Sequence, residues 1–468
     1  MLFSSMTFLW LFLPIVFVLY RILPLKARNT LLLAASLIFY AWGEPLYILL
    51  MLISIGLNYL FGLWIDSRKG MLARKIALIA AIAANLGILA YFKYFDMAVT
   101  LFNGIFNASL PLGEIALPIG ISFYTFQILS YIIDLYRKEI RVQKNPFKLG
   151  LYISFFPQLI AGPIVNYRDV ESAISRRDIS AEKTAYGIKR FIYGLGKKVI
   201  ISNQLASAVD SIFAIKLDYM PSSFLWLAAV LYMFQIYYDF SGYSDMAIGL
   251  GKMFGFDFFE NFNYPYIAAS ITDFWRRWHI SLTQWFRSYL YIPLGGNRKG
   301  AFRTVLNIGI VFFLTGLWHG AGLNFIFWGV WHGFFMIIER LFLGKWLEKC
   351  PFKFLNRMYT ILVVLIGWVM FRGDGMKWAI NALAVMFSFT GGSTLPLQMF
   401  VGSGTVITLI IAIAFCGIAQ SFLPKLKCAL YDEHRTGYVQ IALLGVIFFV
   451  SVTFLVSGTY NPFIYFRF

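Results

Sequence analysis

The run TVLNIGIVFFLTGLWHGAGLNFIFWGVWHGFFMII occupies residues 304–338 and contains two long apolar stretches. A glycine-containing break at 320–322 separates them. Apolar stretches of roughly 17–25 residues are long enough to cross the hydrocarbon core of a bilayer as helices. The whole chain shares this character, since 60% of its 468 residues are hydrophobic, 19% are aromatic and its mean hydropathy is +0.72. These values predict an integral-membrane protein instead of a soluble globule.

Similar apolar stretches recur along the chain and predict an all-α, multi-pass bundle of about 11 membrane spans. The predicted spans are residues 7–23, 45–65, 76–92, 117–136, 188–213, 223–250, 304–319, 325–343, 358–371, 403–423 and 438–457. The stretch 29–43 is short and fits either a further span or a half-embedded helix, so the side of the C-terminus stays open. No long polar stretch intervenes, and residues 1–468 are therefore expected to form one integral-membrane domain.

The net charge of +18 is carried mainly by short connectors. The connectors 68–75, 137–148 and 345–357 are basic, whereas 103–117 and 390–404 are almost uncharged. Because Lys and Arg near span ends favour the cytoplasmic side, the basic connectors are expected there and the N-terminus outside. This distribution favours a role in membrane orientation over nucleic-acid binding, and no nucleic-acid partner is expected.

Two segments depart from a simple alternation of spans and connectors, and the first is 149–165. Basic residues flank it on both sides, and it contains Pro157 and the pair Gly162-Pro163. Proline and glycine interrupt helical hydrogen bonding, so the segment is expected to form a re-entrant hairpin packed inside protein. An ordinary span with a local violation of the charge rule is the alternative.

The second unusual segment is 271–290. An apolar stripe repeats at intervals of three or four and comprises Ile271, Phe274, Trp275, Trp278, Leu282, Trp285, Phe286 and Tyr289. At about 100° per residue, Arg276 and Arg287 fall opposite this stripe, and Arg277 and His279 fall near its margins. The pattern predicts an interfacial helix whose basic face meets cytoplasmic headgroups or a cytoplasmic ligand.

The sequence contains four histidines, His279, His319, His332 and His434. His319 and His332 lie within or beside apolar stretches, where ionisable groups are tolerated mainly when they face a protein interior or a water-filled path. An imidazole near its usual pKa can take a proton from a hydroxyl and return one to a leaving group. Composition alone does not separate His319 from His332, and packing is the alternative for both. His434 lies among charged residues and is assigned no role.

Other catalytic and ligand-binding patterns are not evident. The histidines show neither HxxxH nor HExxH spacing, so no metal site is predicted. No GxSxG elbow, Walker loop or Rossmann fingerprint stands out, and no bound cofactor is expected. Two acids in YYDFSGYSD (237–245), Asp239 and Asp245, lie in apolar surroundings. They are interpreted either as groups that relay protons or orient a histidine, or as structural hydrogen-bonding partners inside the bundle.

Five sequence motifs in order resemble the bacterial branch of the membrane-bound O-acyltransferase superfamily, especially the membrane component of alginate and related polysaccharide O-acetylation systems. The resemblance extends through most of the chain. It rests on PIGISFYTFQ (118–127), FPQLIAGPI (156–164), DFSGYSD (239–245), DFWRRWHISL (273–282) with YIPLGGN (291–297), and GLWHG (316–320).

The resemblance implies a helical fold around a central tunnel that joins a cytoplasmic donor side to an outer acceptor side. It implies catalytic roles for His319, the buried histidine, and for His279, a second histidine on the cytoplasmic side. Substrate contacts are expected from Arg276, Arg277, Trp275, Trp278, Asn297 and Trp318. A tunnel-lining or orienting position is expected for Asp239, Asp245, His332 and Gln158.

The implied reaction moves an acetyl group from a cytoplasmic thioester, with acetyl-CoA as the expected donor, to an envelope or exported polysaccharide. The implied location is the bacterial plasma membrane, and the implied partner is an extracytoplasmic SGNH-type acetyltransferase or esterase. Three alternatives stay open: D-alanyl transfer to teichoic acid from a carrier-protein thioester, a polytopic transporter of an envelope precursor, and a scaffold that recruits a transferase.

Overall fold

A computed structural model describes residues 1–160, 162–388, 396–423, 431–432, 436–458 and 460–467. The described residues form helices and connecting segments, and they contain no β-strand. The all-α prediction is therefore confirmed. His434 lies outside the described residues. The chain divides into two compact units, Met1–Phe191 with Met246–Phe259 (unit 1) and Ile192–Asp245 with Glu260–Phe468 (unit 2). That residues 1–468 act as one membrane domain stays a prediction.

The α-helices are numbered here in chain order. The first eleven are α1 Leu13–Ile22, α2 Leu25–Gly43, α3 Ile48–Ser67, α4 Met71–Phe106, α5 Ile121–Arg137, α6 Pro146–Ser154, α7 Phe156–Leu159, α8 Tyr167–Ser175, α9 Ala181–Gly196, α10 Asn203–Phe213 and α11 Ser222–Met253. The others are α12 Ile271–Arg277, α13 Ile280–Phe286, α14 Gly300–His319, α15 Leu323–Ile338, α16 Gly344–Lys349, α17 Lys353–Arg372, α18 Met376–Ser388, α19 Ser403–Ile413, α20 Ala419–Phe422 and α21 Tyr438–Ser457. Short π- and 3₁₀-helical segments extend or connect them at Phe8–Phe12, Lys197–Ser202, Leu217–Tyr219, Pro265–Ile267, Arg287–Tyr291, Glu339–Leu343, Leu397–Met399, Ala414–Ile418 and Ile464–Arg467.

Several of these helices have the length and composition of membrane spans. Among the described residues there are seven, Ile48–Ser67, Met71–Phe106, Gly300–His319, Leu323–Lys349, Lys353–Arg372, Ser403–Phe422 and Tyr438–Ser457, with a shorter apolar helix at Phe8–Ile22. Every predicted span overlaps a helix, but 117–136 and 223–250 correspond to α5 and α11, whose side chains are mostly buried in protein. A helix surrounded by protein is apolar on all sides, as a lipid-facing helix is, so composition alone does not separate the two.

The segment 149–165 is interrupted as its prolines and glycine predict. Helix α6 ends at Ser154, α7 begins at Phe156 with Pro157 in its first turn, and no helix continues beyond Leu159. Gly162 makes a close approach to the preceding turn, because a Cβ atom there would lie 2.7 Å from the Cα atom of Gln158. That this segment re-enters the membrane from one side stays a prediction.

In unit 2, the antiparallel helices α14 and α15 pack through glycines. A Cβ atom on Gly316 would lie 2.4 Å from the carbonyl oxygen of Phe325, and one on Gly329 would lie 2.3 Å from that of Phe312. Small residues at such positions let two backbones approach closely inside a membrane. The connector after α14 is equally tight, since a Cβ atom on Gly320 would lie 2.3 Å from the ring of Phe325. These contacts fix the end of α14, where His319 lies.

The segment 271–290 forms two short helices, so the prediction of one interfacial helix is wrong in its continuity. Helix α12 ends at Arg277 and α13 begins at Ile280, with His279 in the left-handed conformation (φ 45°, ψ 54°) between them. The apolar stripe itself is confirmed, because all eight of its residues are buried. The break rotates His279 from the predicted margin of a helix into the interior, where it is 8% exposed.

Candidate active site

His319 is the last residue of α14 and is 7% exposed. Its imidazole packs against three aromatic rings, with centroid separations of 4.9 Å to Trp318, 5.0 Å to Trp328 and 5.2 Å to Phe371. All three rings stand nearly perpendicular to the imidazole, at interplanar angles of 76°, 87° and 80°. A histidine in such a place matches the predicted buried site, since an imidazole can exchange protons with a hydroxyl.

Trp318 lies between His319 and His279. The Trp318 ring centroid is 6.2 Å from that of His279 and 4.9 Å from that of His319. The other neighbour of His279 is Phe262, with ring centroids 6.2 Å apart. Unit 2 therefore brings together two histidines that are 40 positions apart in the sequence and belong to separate motifs.

The turn that carries His279 is held by Asn261. The carbonyl oxygen of Asn261 accepts the Ile280 N–H at 2.9 Å, and its side-chain oxygen accepts the backbone N–H and hydroxyl of Ser281 at 3.2 and 2.9 Å. These bonds stabilise a positive φ that is uncommon outside glycine. Burial lowers the pKa of His279 to about 3. Its imidazole is therefore neutral near pH 7 and interacts through hydrogen bonds instead of a positive charge.

A large recess opens beside α12 and α13 in unit 2. Its volume is about 880 Å³, and its walls come from α12 to α14 and from the chain between Met336 and Asn356. Five basic side chains line it, Arg276, Arg287, Arg340, Lys345 and Lys353, above an apolar floor that includes Trp275 and Phe312. A basic rim over an apolar floor suits a ligand with an anionic part and a less polar arm.

Glu339 fixes the wall of this recess. Its carboxylate is 6% exposed and accepts the backbone N–H groups of Ile271 at 2.6 Å and Thr272 at 2.8 Å. The hydroxyls of Thr272 and Tyr359 donate to it at 2.6 and 3.2 Å. A carboxylate at a helix start satisfies the otherwise unpaired N–H groups of the first turn. Glu339 therefore positions α12, which carries Trp275 and Arg276.

Removing the Glu339 carboxylate should destabilise the protein. In Glu339→Ala, four donors lose their acceptor in a buried place, and we expect the free energy of unfolding to fall by roughly 3 kcal/mol. Thermal unfolding of the purified protein measures the loss. Glu348→Ala is the matched control, because Glu348 is an exposed carboxylate of the same recess and should change stability by less than about 0.5 kcal/mol. Equal stability of the two variants would contradict this role.

A smaller recess lies near His319. It has a volume of about 430 Å³ and is lined by Tyr232, Asn324, Phe325, Phe371, Arg372, Gly373, Asp374 and Gly375. The side-chain amide of Asn324 donates to the Gly373 carbonyl at 3.0 Å, and Arg372 pairs with Asp210 at 2.9 Å. Phe371 links this recess to the histidine, because its ring contacts His319 and also forms part of the recess wall. The lining is polar enough to hold a hydroxylated acceptor.

Aromatic rings fill the space between the two recesses. From Trp275 on the floor of the larger recess, ring contacts continue to His332 at 5.3 Å and to Trp328 at 5.8 Å. Trp328 then meets His319, and His319 meets Phe371 of the smaller recess. His319 lines neither recess. A barrier of packed rings therefore lies between the two recesses in this part of the described chain.

The other predicted substrate-contacting residues lie in different places. Arg276 lines the larger recess, but Arg277 pairs with Asp273 at 2.9 Å and does not line it. Trp278 packs against Trp368 with centroids 4.9 Å apart, away from both recess linings. Asn297 is exposed in the turn before α14. Their roles in substrate binding stay predictions.

Three further predicted residues have identified partners. Asp239 is fully buried, pairs with Lys198 at 2.5 Å and accepts the backbone N–H of Ile464 at 2.9 Å. Asp245 pairs with Lys197 at 2.6 Å. Gln158 belongs to unit 1, where its amide N–H donates to the Tyr152 carbonyl at 2.6 Å. These contacts favour the structural alternative for both acids, since none of them joins a histidine.

Several site residues were missed at the level of sequence. Glu339 follows an apolar stretch, and a lone acid there was a usable signal. Arg340 and Phe371 carried none, because only the fold brings them to a recess. Arg287 was predicted on the basic face of 271–290, and it does line the larger recess. Among the residues that the structure describes, no cluster of three or more His, Cys, Asp and Glu side chains could hold a metal ion.

The fold and the site together define a multi-pass helical membrane protein with a histidine centre buried among aromatic rings. Comparison with known proteins gives the family: the model of MBOAT, the membrane-bound O-acyltransferase family, matches residues 37–378. The chain belongs to this family, and it is an acyltransferase. The resemblance inferred from the motifs is thereby confirmed.

Three named relatives show how far along the chain the similarity extends. The probable alginate O-acetylase AlgI of Pseudomonas putida is 40% identical, over 100% of this chain and 100% of its own length. The peptidoglycan O-acetyltransferase of Helicobacter pylori is 33% identical over 100% of this chain and 98% of its own. The teichoic acid D-alanyltransferase of Bacillus subtilis is 32% identical, but over 53% of this chain and 65% of its own.

Proposed function

We propose that this protein transfers an acetyl group from a cytoplasmic thioester, acetyl-CoA, towards the hydroxyl groups of an envelope or exported polysaccharide. The observation that carries the proposal is the placement of His319 between a large basic recess and a small polar one. Two full-length relatives named for alginate and peptidoglycan O-acetylation support the acetyl group and the glycan. D-alanyl transfer is less well supported, since that relative aligns with about half of the chain.

In this proposal the larger recess holds the donor. The anionic part of the donor binds the basic rim formed by Arg276, Arg287, Arg340, Lys345 and Lys353. The acyl end passes over Trp275 and through the ring barrier to His319. For the path to open, rings of the barrier rotate aside, as local side-chain motions inside packed proteins allow. His279, two ring contacts from His319, lies beside this path and stabilises the approaching thioester.

His319 then acts as the general base. It takes the proton of the attacking hydroxyl while the hydroxyl oxygen forms a bond to the thioester carbonyl carbon. The carbon–sulfur bond breaks, and the departing thiolate receives the proton from the imidazolium. Burial among rings favours the reaction, because it excludes water that would hydrolyse the thioester.

The charge pattern supports the sidedness of the proposal. Arg298 and Lys299 precede α14, Arg303 lies in its first turn, and α17 begins within the basic connector 345–357. By the positive-inside rule, the recess with the basic rim is therefore expected at the cytoplasmic face. His319 and Arg372 are the last residues of the same two helices, at the ends away from these basic residues. The N-terminus is placed outside by the same rule. The membrane is then the bacterial plasma membrane, where cytoplasmic thioesters are separated from envelope glycans.

The glycan is the acceptor that the protein must reach, directly or through another protein. We propose that an extracytoplasmic SGNH-type acetyltransferase or esterase takes part in this step, as the family resemblance implies. Co-purification of such a protein with the tagged chain would support the partner. Full glycan acetylation by the purified chain alone would exclude the need for one.

The test of the function is direct. Purified protein is incubated with acetyl-CoA labelled in the acetyl group, with and without alginate or peptidoglycan fragments, and O-acetylation is followed by mass spectrometry. We expect label on glycan hydroxyls or on the co-purified partner, with release of free coenzyme A. Label transfer only from a D-alanyl carrier protein, or no thioester cleavage at all, would overturn the assignment.

The basic rim gives a prediction for donor affinity. In the double variant Arg276→Gln/Arg340→Gln, two exposed cations are lost from the recess, and we expect KM for acetyl-CoA to rise roughly tenfold with little change in kcat. The effect should shrink as salt is raised towards 1 M, where the Debye length is about 3 Å. Lys349→Gln, an exposed cation outside the recess lining, should leave KM unchanged. If KM for acetyl-CoA stays unchanged in the double variant, as in Lys349→Gln, the donor does not bind at this recess.

A further inference from the structure

A buried imidazole without a hydrogen-bond partner lies in the ring barrier. His332 in α15 is 0% exposed, and neither of its ring nitrogens has a hydrogen-bond partner among the described residues. The ring stacks on Phe274 at 6.2 Å and meets Trp275 and Trp328 edge to face at 5.3 and 5.2 Å. Buried polar groups are almost always paired, because an unpaired one destabilises the fold. Packing alone therefore does not account for a histidine here.

Two neighbouring indole N–H groups also lack a hydrogen-bond partner among the described residues. They belong to Trp275 and Trp328, and both are buried. Gly367 packs directly against the imidazole, since a Cβ atom there would lie 2.8 Å from Nε2 of His332. The barrier thus contains one imidazole and two indole N–H groups whose hydrogen-bonding capacity is not used by any described residue.

We propose that His332 binds the amide group nearest the sulfur in the pantetheine arm of the thioester donor. A neutral imidazole offers one N–H donor and one lone-pair acceptor, and a secondary amide offers the complementary C=O and N–H. The indoles can donate only, and they suit the same carbonyl oxygen or that of the thioester. Coenzyme A and a carrier-protein arm both contain this amide, so the site serves either donor.

The position of His332 fits the geometry of such an arm. Trp275 forms the floor of the larger recess and touches His332, and two ring contacts of 5.2 and 5.0 Å lead from His332 through Trp328 to His319. In the arm, only two methylene groups separate the sulfur from the amide nitrogen. When the amide binds His332, the thioester carbonyl therefore points towards His319. This inference rests on the proposed function, because it requires the donor to travel from the larger recess to His319.

The test compares two small donors of similar length. N,S-diacetylcysteamine contains the amide, whereas S-pentyl thioacetate has methylene groups in its place. For the unmodified protein we expect kcat/KM for the amide donor to exceed that for the other by roughly tenfold, the value of one to two hydrogen bonds. In His332→Phe the ratio should fall close to 1, and in His332→Gln, which keeps a donor and an acceptor, much of it should remain.

A control variant and a stability measurement distinguish amide binding by His332 from a purely structural role of this residue. Trp331→Phe is the matched control on α15, because it removes one partnered N–H group, which donates to the Val363 carbonyl at 2.9 Å, and it should keep the donor ratio of the unmodified protein. His332→Phe should unfold at the same temperature or higher, since it removes unpaired polar atoms. A lower unfolding temperature with an unchanged donor ratio would overturn the proposal.

The unmodified protein also tests the proposal without any variant. If it transfers acetyl from both donors with equal kcat/KM, the amide is not recognised and the proposal fails. If it transfers acetyl from neither these donors nor acetyl-CoA, the proposed function itself fails. The two failures are therefore distinguishable.

Discussion

Replacing His319 with alanine should lower the rate of acetyl transfer by roughly 10²- to 10⁴-fold, the usual contribution of a positioned general acid–base. His319 is the imidazole placed between the two recesses, and its ring contacts reach Trp318, Trp328 and Phe371. The variant leaves the glycine-packed α14 and α15 backbones unchanged. Rates measured with labelled acetyl-CoA and glycan fragments give the loss in kcat.

A folding control accompanies this variant. Phe313→Ala removes a larger, 43% exposed side chain from the outer side of the same helix and should keep most of the activity. Both variants should elute as single species and unfold at similar temperatures. Retained acetylation by His319→Ala would remove the histidine from the mechanism, and loss of activity in both variants would indicate damage to α14 instead.

Replacing Asp239 with alanine should give the largest loss of stability, about 3–5 kcal/mol. The side chains of Lys198 and Asp239 are 2% and 0% exposed, and they pair at 2.5 Å. Asp239→Ala leaves the ammonium of Lys198 buried without its counter-ion and leaves the Ile464 N–H without its acceptor. Thermal or denaturant unfolding in detergent measures the change.

A second ion pair provides the matched comparison. Asp257 pairs with Lys252 at 2.7 Å but is 61% exposed, so Asp257→Ala should change stability by no more than about 1 kcal/mol. The double variant Lys198→Leu/Asp239→Leu should recover part of the loss, because replacing both charges removes the unpaired ion. Similar losses of stability for Asp239→Ala and Asp257→Ala would contradict the argument that burial makes the Lys198–Asp239 pair more important for folding.

Much of the fold could be predicted because hydrophobic length and helical period are local properties. The run 304–338 gave two helices with a glycine turn, and the stripe in 271–290 gave the buried face of α12 and α13. The break at His279 could not be read from the period, since a positive φ at a non-glycine residue is maintained by the distant Asn261. The family resemblance implied a catalytic role for His279, but the inward position of its side chain was not predicted.

The lining of the site was less predictable for the same reason. Arg276 and Arg277 are adjacent, and the spacing of Arg277 to Asp273 allowed an i,i+4 ion pair that removes it from the recess. Arg340 reaches the recess from a separate element, so no local pattern marks it, whereas Arg287 lies on the basic face that the helical period of 271–290 predicted. Composition could not distinguish His332 from His319, and the difference between them is one of packing: only His319 contacts a residue of the smaller recess.

The central claim is that an acetyl group passes from one membrane face to the other past His319. Proteoliposomes of known orientation, with labelled acetyl-CoA sealed on the side of the larger recess and acceptor glycan or partner on the other, measure this directly. The account predicts acetylated acceptor outside, free coenzyme A retained inside, and neither product with His319→Ala. Acetylated acceptor only on the donor side would contradict it.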